Sequence, residues 1–210
     1  MSVYVITGAS KGIGFGFVKN ISEDPKNLVV GLVRDKVGTE KKVAAELGNR
    51  TNVHILHGDL DSYVSLKQAA ADTAKIVGER GVDYLVANGA YLSHLDAYDP
   101  ISVSPLYAAV KAALNVIVAK FAAQYKKDGV LFFSISPGVV EVGHYDNVTQ
   151  EQMKGLTTFM AKIQAYAPHF KGAVSVDEAI QTIRSLWERA SIETGYSGAF
   201  VSQFGNKQWM

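Results

Sequence analysis

A short apolar run that passes straight into three glycines is the feature that most constrains the fold of this chain. The stretch VITGASKGIG places Gly8, Gly12 and Gly14 in one turn. The turn joins a predicted strand, Val3–Ile6, to a predicted helix, Gly12–Ile21. Glycine is needed where a backbone bends sharply and approaches a pyrophosphate, and the free amides of a helix N-terminus then face the phosphate charge. The placement of the glycines therefore predicts a nucleotide-binding turn.

Short apolar runs alternate with longer stretches of helical spacing along the remaining chain. This order favours a doubly wound, Rossmann-like α/β fold, in which helices cover a parallel sheet. Further strands are predicted at Leu28–Val33, Val53–Leu56, Tyr84–Ala87, Val130–Ile135 and Ala199–Ser202. Further helices are predicted at Thr39–Leu47, Tyr63–Val77, Leu106–Tyr125 and Val176–Ala190. The length of 210 residues fits one domain, residues 1–210.

Composition narrows the class of partner. The formal net charge of +1 gives no reason to expect a nucleic acid or an anionic membrane. No apolar run reaches the ~20 residues of a membrane span. The absence of cysteine excludes disulfides and thiolate catalysis, and His54 with His57 has no third ligand nearby in sequence, so no metal is expected. The sequence predicts a cytoplasmic protein that binds a small molecule.

The glycine turn and a later Tyr-x-x-x-Lys pair together resemble the short-chain dehydrogenase/reductase family. Tyr107 and Lys111 lie four residues apart in a helical stretch, so both project from one face. A phenol is a poor proton shuttle at neutral pH unless a nearby cation favours the phenolate. In the family this pair moves the proton while nicotinamide carries the hydride, so the resemblance implies that Tyr107 and Lys111 are catalytic. The closing GAFVSQFGNKQW resembles the C-termini of fungal-type carbonyl reductases.

The resemblance also implies which positions contact a cofactor. They are Gly8, Ser10, Lys11, Gly12, Ile13, Gly14, Arg34, Asp59, Leu60, Asn88, Gly89, Tyr107, Lys111, Pro137, Gly138 and Val140. Arg34 ends the second strand, where a guanidinium can fork onto a 2′-phosphate, and Lys11 adds a cation in the loop. NADP is therefore the expected cofactor, and Asp35 leaves NAD as the less favoured alternative.

The interval between Ala90 and Tyr107 is short for the family. Sixteen residues stand where the family has a long helix, a fifth strand and the serine that hydrogen-bonds the substrate carbonyl. A typical helix and strand need about 11–12 and 5–6 residues before any loop is counted, so the fold is predicted to be shortened by about one βα unit. The interval offers hydroxyl groups at Ser93, Ser102 and Ser104, and the sequence assigns a role to none of them.

The resemblance implies an NADP-dependent oxidoreductase that transfers a hydride between NADPH and a small carbonyl or alcohol, with activity impaired by the short interval. Residues 141–172 correspond to the family's substrate lid. The alternative is a non-catalytic NADP-binding or interaction protein. In the family, the helix missing here and the one bearing the Tyr-Lys pair form a subunit interface, so an altered tetramer is expected. The apolar face of Leu106–Tyr125 is expected to lie on the sheet instead.

Overall fold

The computed structural model describes residues 1–90, 105–143 and 149–208, and at residues 105–107, 151, 152 and 159 it describes the helix backbone only. The chain divides into two compact units, Met1–Ala90 and Tyr91–Met210. Each unit is described by itself. A single domain over residues 1–210, with a lid at residues 141–172, stays a prediction.

Four parallel strands and three helices alternate in the first unit. The strands are β1 Val3–Thr7, β2 Leu28–Val33, β3 Val53–His57 and β4 Tyr84–Val86. The helices are α1 Gly12–Ile21, α2 Lys36–Leu47 and α3 Tyr63–Val77. The sheet order is β3-β2-β1-β4, and every neighbouring pair is parallel. The strand order therefore reverses at β1, which opens a crevice beyond the carboxyl ends of β1 and β4.

The centre of this sheet is buried on both faces, as expected when helices cover a parallel sheet from both sides. Every residue of β2 is buried, and in β1 only the last residue is not. Ile6 of β1, Val18 of α1 and Val29 of β2 have no exposed surface. The doubly wound α/β fold predicted from the alternating pattern is confirmed.

Helix α2 begins one turn earlier than the sequence predicts. Asp35 is the N-cap, and its Oδ1 accepts a hydrogen bond from the Gly38 amide at 2.9 Å. The Thr39 hydroxyl donates to the Asp35 carbonyl at 2.7 Å. The first turn carries Lys36 and Gly38 and so lacks apolar spacing, which is why the pattern indicates a start at Thr39.

The described part of the second unit contains three α-helices and a pair of strands. The helices are α4 Pro105–Tyr125, α5 Gln150–Tyr166 and α6 Val176–Arg189. The strands are β5 Ser134–Ser136 and β6 Phe200–Ser202, which pair in parallel. Helix α6 is capped by Ser175, whose hydroxyl oxygen accepts from the Glu178 amide at 3.2 Å.

Strand β5 is shorter than the predicted Val130–Ile135, which is wrong over its first four residues. Its partner β6 is three residues long and follows a turn, so regular pairing has the same length. Phe132 instead accepts a hydrogen bond at its carbonyl from the Gly198 amide at 2.7 Å. Its ring stacks on Phe121 at 5.7 Å between centroids. The apolar run Val130–Ile135 therefore ends in a short strand, and Phe132 before that strand makes an aromatic contact.

Helix α4 does not bury the apolar face expected from its sequence. Val110, Leu114, Ile117 and Phe121 are all exposed, although Phe121 also touches Phe132. The prediction that this face is covered is therefore wrong for these four residues. Despite the 21 residues of α4, none of the helices in the described ranges is long and apolar enough to cross a membrane. A cytoplasmic location stays a prediction.

Candidate functional site

Four of the predicted cofactor positions follow the carboxyl ends of the four strands in the first unit. Gly8 follows β1, Arg34 follows β2, Asp59 lies just beyond β3, and Asn88 lies just beyond β4. Because the strands are parallel, all four positions lie at the carboxyl end of the sheet, where ligands of open α/β sheets bind. The structure therefore brings together positions that are 80 residues apart in sequence.

Asn88 ties the exit of β4 to the exit of β1. Its Nδ2 donates to the carbonyl oxygens of Thr7 and Gly8, at 3.2 Å and 3.3 Å. The Gly89 amide in turn donates to Thr7 Oγ1 at 3.0 Å. Asn88 from the β4 side and Thr7 from the β1 side thus hold the two strand exits together, and the sequence had not indicated a role for Thr7.

The glycine loop packs so closely that it has no room for a side chain at Gly8 or Gly14. A methyl group on Gly8 would lie 2.7 Å from Gly89 Cα, and Gly8 has a φ of +67°. A methyl group on Gly14 would lie 2.6 Å from Asn88 Nδ2 and would also collide with the Gly8 carbonyl. The glycines therefore permit close approach of two backbones as well as a sharp turn.

Helix α1 begins without a side-chain cap. Its N-cap is Lys11, whose extended backbone has φ −158° and ψ 175° and whose side chain makes no capping hydrogen bond. The first amides of a helix have no intrahelical acceptor, and together they carry a partial positive charge. A cradle of glycine backbone that leads into an uncapped helix N-terminus fits the pyrophosphate of a dinucleotide.

Arg34 and Asp35 have different environments at the end of β2. The Arg34 side chain is exposed, and its carbonyl accepts from His57 Nδ1 at 3.0 Å. Since a carbonyl only accepts, His57 Nδ1 carries the hydrogen. Asp35 instead uses its carboxylate to cap α2 through the Gly38 amide. From the sequence, His57 is considered only as a metal ligand together with His54, and no metal is expected there.

Asp59 and Leu60 form a short turn after β3. The Asp59 amide donates to Ser65 Oγ at 3.0 Å, and Asp59 Oδ1 accepts from the Asp61 amide at 3.1 Å. Leu60 is 45% exposed, and its Cδ1 lies directly over Gly89 where a side chain would stand. The turn therefore offers a carboxylate and an apolar surface beside the β4 exit.

The predicted Pro137-Gly138 turn lies in the second unit, directly after β5. Gly138 has a φ of +77°, and a methyl group there would lie 2.7 Å from Gln203 Nε2. Gln203 follows β6 and is only 7% exposed, and its Oε1 has no hydrogen-bond partner in the part of the chain that the structure describes. Val140 forms an isolated parallel bridge with Val174. The sequence had not singled out Gln203, whose only signal is a polar residue after a strand.

The Tyr-Lys pair lies on α4. The helix spans both Tyr107 and Lys111, so their four-residue spacing is helical as predicted. Lys111 is half-buried, and the side chain of Tyr107 lies outside the described residues. Ser93, Ser102 and Ser104 also lie outside them. The catalytic roles of the pair stay predictions.

Two relatives match this chain over its whole length, and a family model matches its N-terminal part. The family model described as short chain dehydrogenase matches residues 2–99. The short-chain dehydrogenase/reductase iacC of Pestalotiopsis fici is 62% identical over 272 aligned positions, which cover 100% of both proteins. The short chain dehydrogenase virK of Hypocrea virens is 43% identical over 273 positions, with the same coverage. Since this chain has 210 residues, 62 of the 272 positions aligned with iacC hold no residue of it.

A solved structure supports the fold. The NADPH-bound carbonyl reductase from chicken fatty liver superposes with a TM-score of 0.73. The superposition covers 98% of this chain and 93% of that protein, at 18% sequence identity. At this identity the likeness concerns the Rossmann-like architecture alone.

Proposed function

Because this chain belongs to the short-chain dehydrogenase/reductase family of oxidoreductases, we propose that it binds NADP and transfers a hydride between that cofactor and a small carbonyl or alcohol. One observation carries the proposal. The glycine loop, closed from β4 by Asn88, leads into the uncapped N-terminus of α1. This arrangement leaves backbone amides for a diphosphate and excludes side chains from the cradle.

NADP is proposed over NAD because of the residues at the end of β2. A free 2′-hydroxyl is usually met by a carboxylate at this strand end, whereas a 2′-phosphate is met by arginine. Here both side chains are exposed, and the Asp35 carboxylate is engaged in the α2 cap whereas the Arg34 guanidinium stands at the strand end. Lys11, exposed in the loop, adds a second positive charge. The charge distribution therefore favours the phosphorylated cofactor.

Replacement of Arg34 by alanine should weaken NADPH binding at least about tenfold and leave NADH binding nearly unchanged, because a charge-assisted hydrogen bond to a phosphate is lost. Titration of the protein with each cofactor, followed by ligand fluorescence, measures both dissociation constants. Lys26→Ala is the matched control. Lys26 is an exposed cation just before the same strand, so it lies at the amino end of β2 and Arg34 at the carboxyl end. Equal losses in the two variants would contradict the assignment of Arg34.

In the proposed reaction the cofactor transfers the hydride and residues of this chain transfer the proton. When bound, the nicotinamide cofactor supplies or takes up the hydride. Tyr107 gives a proton to the substrate oxygen during reduction and takes it back during oxidation. Lys111, one helical turn away, favours the phenolate form of Tyr107. The pair therefore supplies the proton that accompanies hydride transfer in reduction and accepts it in oxidation.

We further propose that the chain works far below the rate of an intact relative. The 62 aligned positions without a residue are enough for the long helix, fifth strand and serine that the family has after the fourth strand. Loss of one hydrogen-bond donor to a reacting oxygen costs about 10²–10³ in rate. We expect the oligomer of the family to be altered as well, because the missing helix and the one bearing the Tyr-Lys pair form the family's subunit interface.

Residues 141–172 are proposed to contact the substrate. Within this segment Ile163 of α5 is fully buried, whereas Met153 is 49% exposed and Tyr166 is 65% exposed. Some of the apolar side chains of this segment are therefore buried in the core, and others are exposed. An apolar or aromatic carbonyl compound is the substrate class that such a surface suits.

A further inference from the structure

Lys42 reaches from α2 to the glycine loop. Its Nζ donates to the Ser10 carbonyl at 3.4 Å and lies 4.0 Å from the centroid of the Phe15 ring. Glu46 Oε1 lies 3.9 Å from the same nitrogen, and the Lys42 side chain is 35% exposed. The ammonium is thus held at one place by a ring, a carboxylate and a carbonyl.

The contact with Ser10 fixes the direction of a neighbouring amide. In a trans peptide the carbonyl and the following N–H point in opposite directions, and the described chain has no cis peptide bond. Because the Ser10 carbonyl points at Lys42, the Lys11 amide points away from α2. That amide has no acceptor within the described ranges. A donor next to the helix N-terminus is thereby left for a ligand.

We propose that Lys42 is a positioning residue for the dinucleotide, which acts by orienting the Ser10–Lys11 peptide so that the Lys11 amide donates to the cofactor diphosphate. The proposal rests on the proposed function. It differs from the assignment of Arg34, because the diphosphate is common to NADPH and NADH. Lys42 therefore supports the binding of both cofactors, whereas Arg34 discriminates between them.

The test compares four variants by titration with NADPH and with NADH. Lys42→Met keeps an apolar stem over the Phe15 ring and removes the donor. We expect it to weaken the binding of both cofactors by about fivefold, the effect of one hydrogen bond. Lys42→Arg should recover both affinities, since a guanidinium also donates to a carbonyl and stacks on a ring. Lys41→Met removes the same charge from an exposed neighbour on α2 and should bind both cofactors as the wild type does. Arg34→Ala should lose affinity for NADPH alone.

Two results would overturn the positioning role of Lys42 while the proposed function stands. The first is unchanged affinity of Lys42→Met for both cofactors, with or without a fall in the melting temperature of the cofactor-free protein. The second is a loss confined to NADPH, which would mean that Lys42 only adds charge near the 2′-phosphate. A wild-type protein that binds neither cofactor would instead overturn the proposed function together with this inference.

Discussion

Insertion of the missing family segment between Ala90 and Tyr107 should raise the rate of NADPH oxidation by at least about a hundredfold, since it restores a hydrogen-bond donor to the substrate oxygen and the geometry around it. The segment is taken from iacC, which is 62% identical to this chain. The rate is measured by NADPH absorbance with a panel of aromatic ketones and diketones. Light scattering of the same samples gives the mass, which should increase as the exposed face of α4 gains its neighbour.

Two matched proteins make this result interpretable. A glycine-serine insert of equal length should restore neither rate nor mass, because it supplies no strand, no helix and no serine in a fixed position. The iacC insert combined with Tyr107→Phe should remain inactive, because the phenol that moves the proton is gone. The opposite finding, a 210-residue chain that already turns over like iacC and loses its rate on Tyr107→Phe, would contradict the proposed impairment.

Substitution of Gly8 by alanine should weaken NADPH binding by about a hundredfold, through overpacking of the cradle. The added methyl group would lie 2.7 Å from Gly89 Cα, and a backbone atom cannot move aside as a flexible side chain can. The displacement would also separate Gly89 from the Thr7 hydroxyl that accepts its amide hydrogen. NADPH titration gives the affinity, and denaturant unfolding of the same protein gives the free energy of unfolding.

Gly48→Ala is the matched control for this experiment. Gly48 has the same φ of +67°, but a methyl group there meets no atom within 4 Å. The control therefore carries the backbone cost of an alanine at positive φ, about 1–3 kcal/mol, without the collision. We expect it to lower the free energy of unfolding and to leave NADPH affinity unchanged. Equal affinities of the two variants would show that the Gly8 contact does not shape the site.

The sequence predicted best those elements whose burial repeats a simple pattern. The bounds of β2, α1 and α3 agree with the prediction, because each is a regular apolar run or stripe bounded by turn residues or a cap. The start of α2 was wrong because an N-cap, not apolar spacing, begins that helix. The length of β5 was wrong because a strand ends where its partner ends, and the partner lies 66 residues away in register with it.

The candidate site was predicted where backbone conformation requires a residue type, and missed where a role depends on a neighbour. Gly8 and Gly14 were found because only glycine fits a turn that touches another backbone. Lys42 and Gln203 were missed, since each belongs to an ordinary helix or strand end in sequence and gains its partner only in three dimensions. Long-range contacts of this kind leave no periodic signal.

The hydrogen bonds from Asn88 to the β1 exit have a consequence for how the chain folds and survives. They join residues 81 and 80 apart, and β4 is a three-residue edge strand of the four-stranded sheet with Leu85 68% exposed. We expect so long a loop to close late in folding, after β1, β2 and β3 have paired across shorter separations. We expect the same strand to detach first when this sheet opens locally, because none of its three residues is buried. If a nucleotide binds the closed loop as proposed, it should favour the attached strand by mass action, and cleavage at this edge should slow as the cofactor concentration rises.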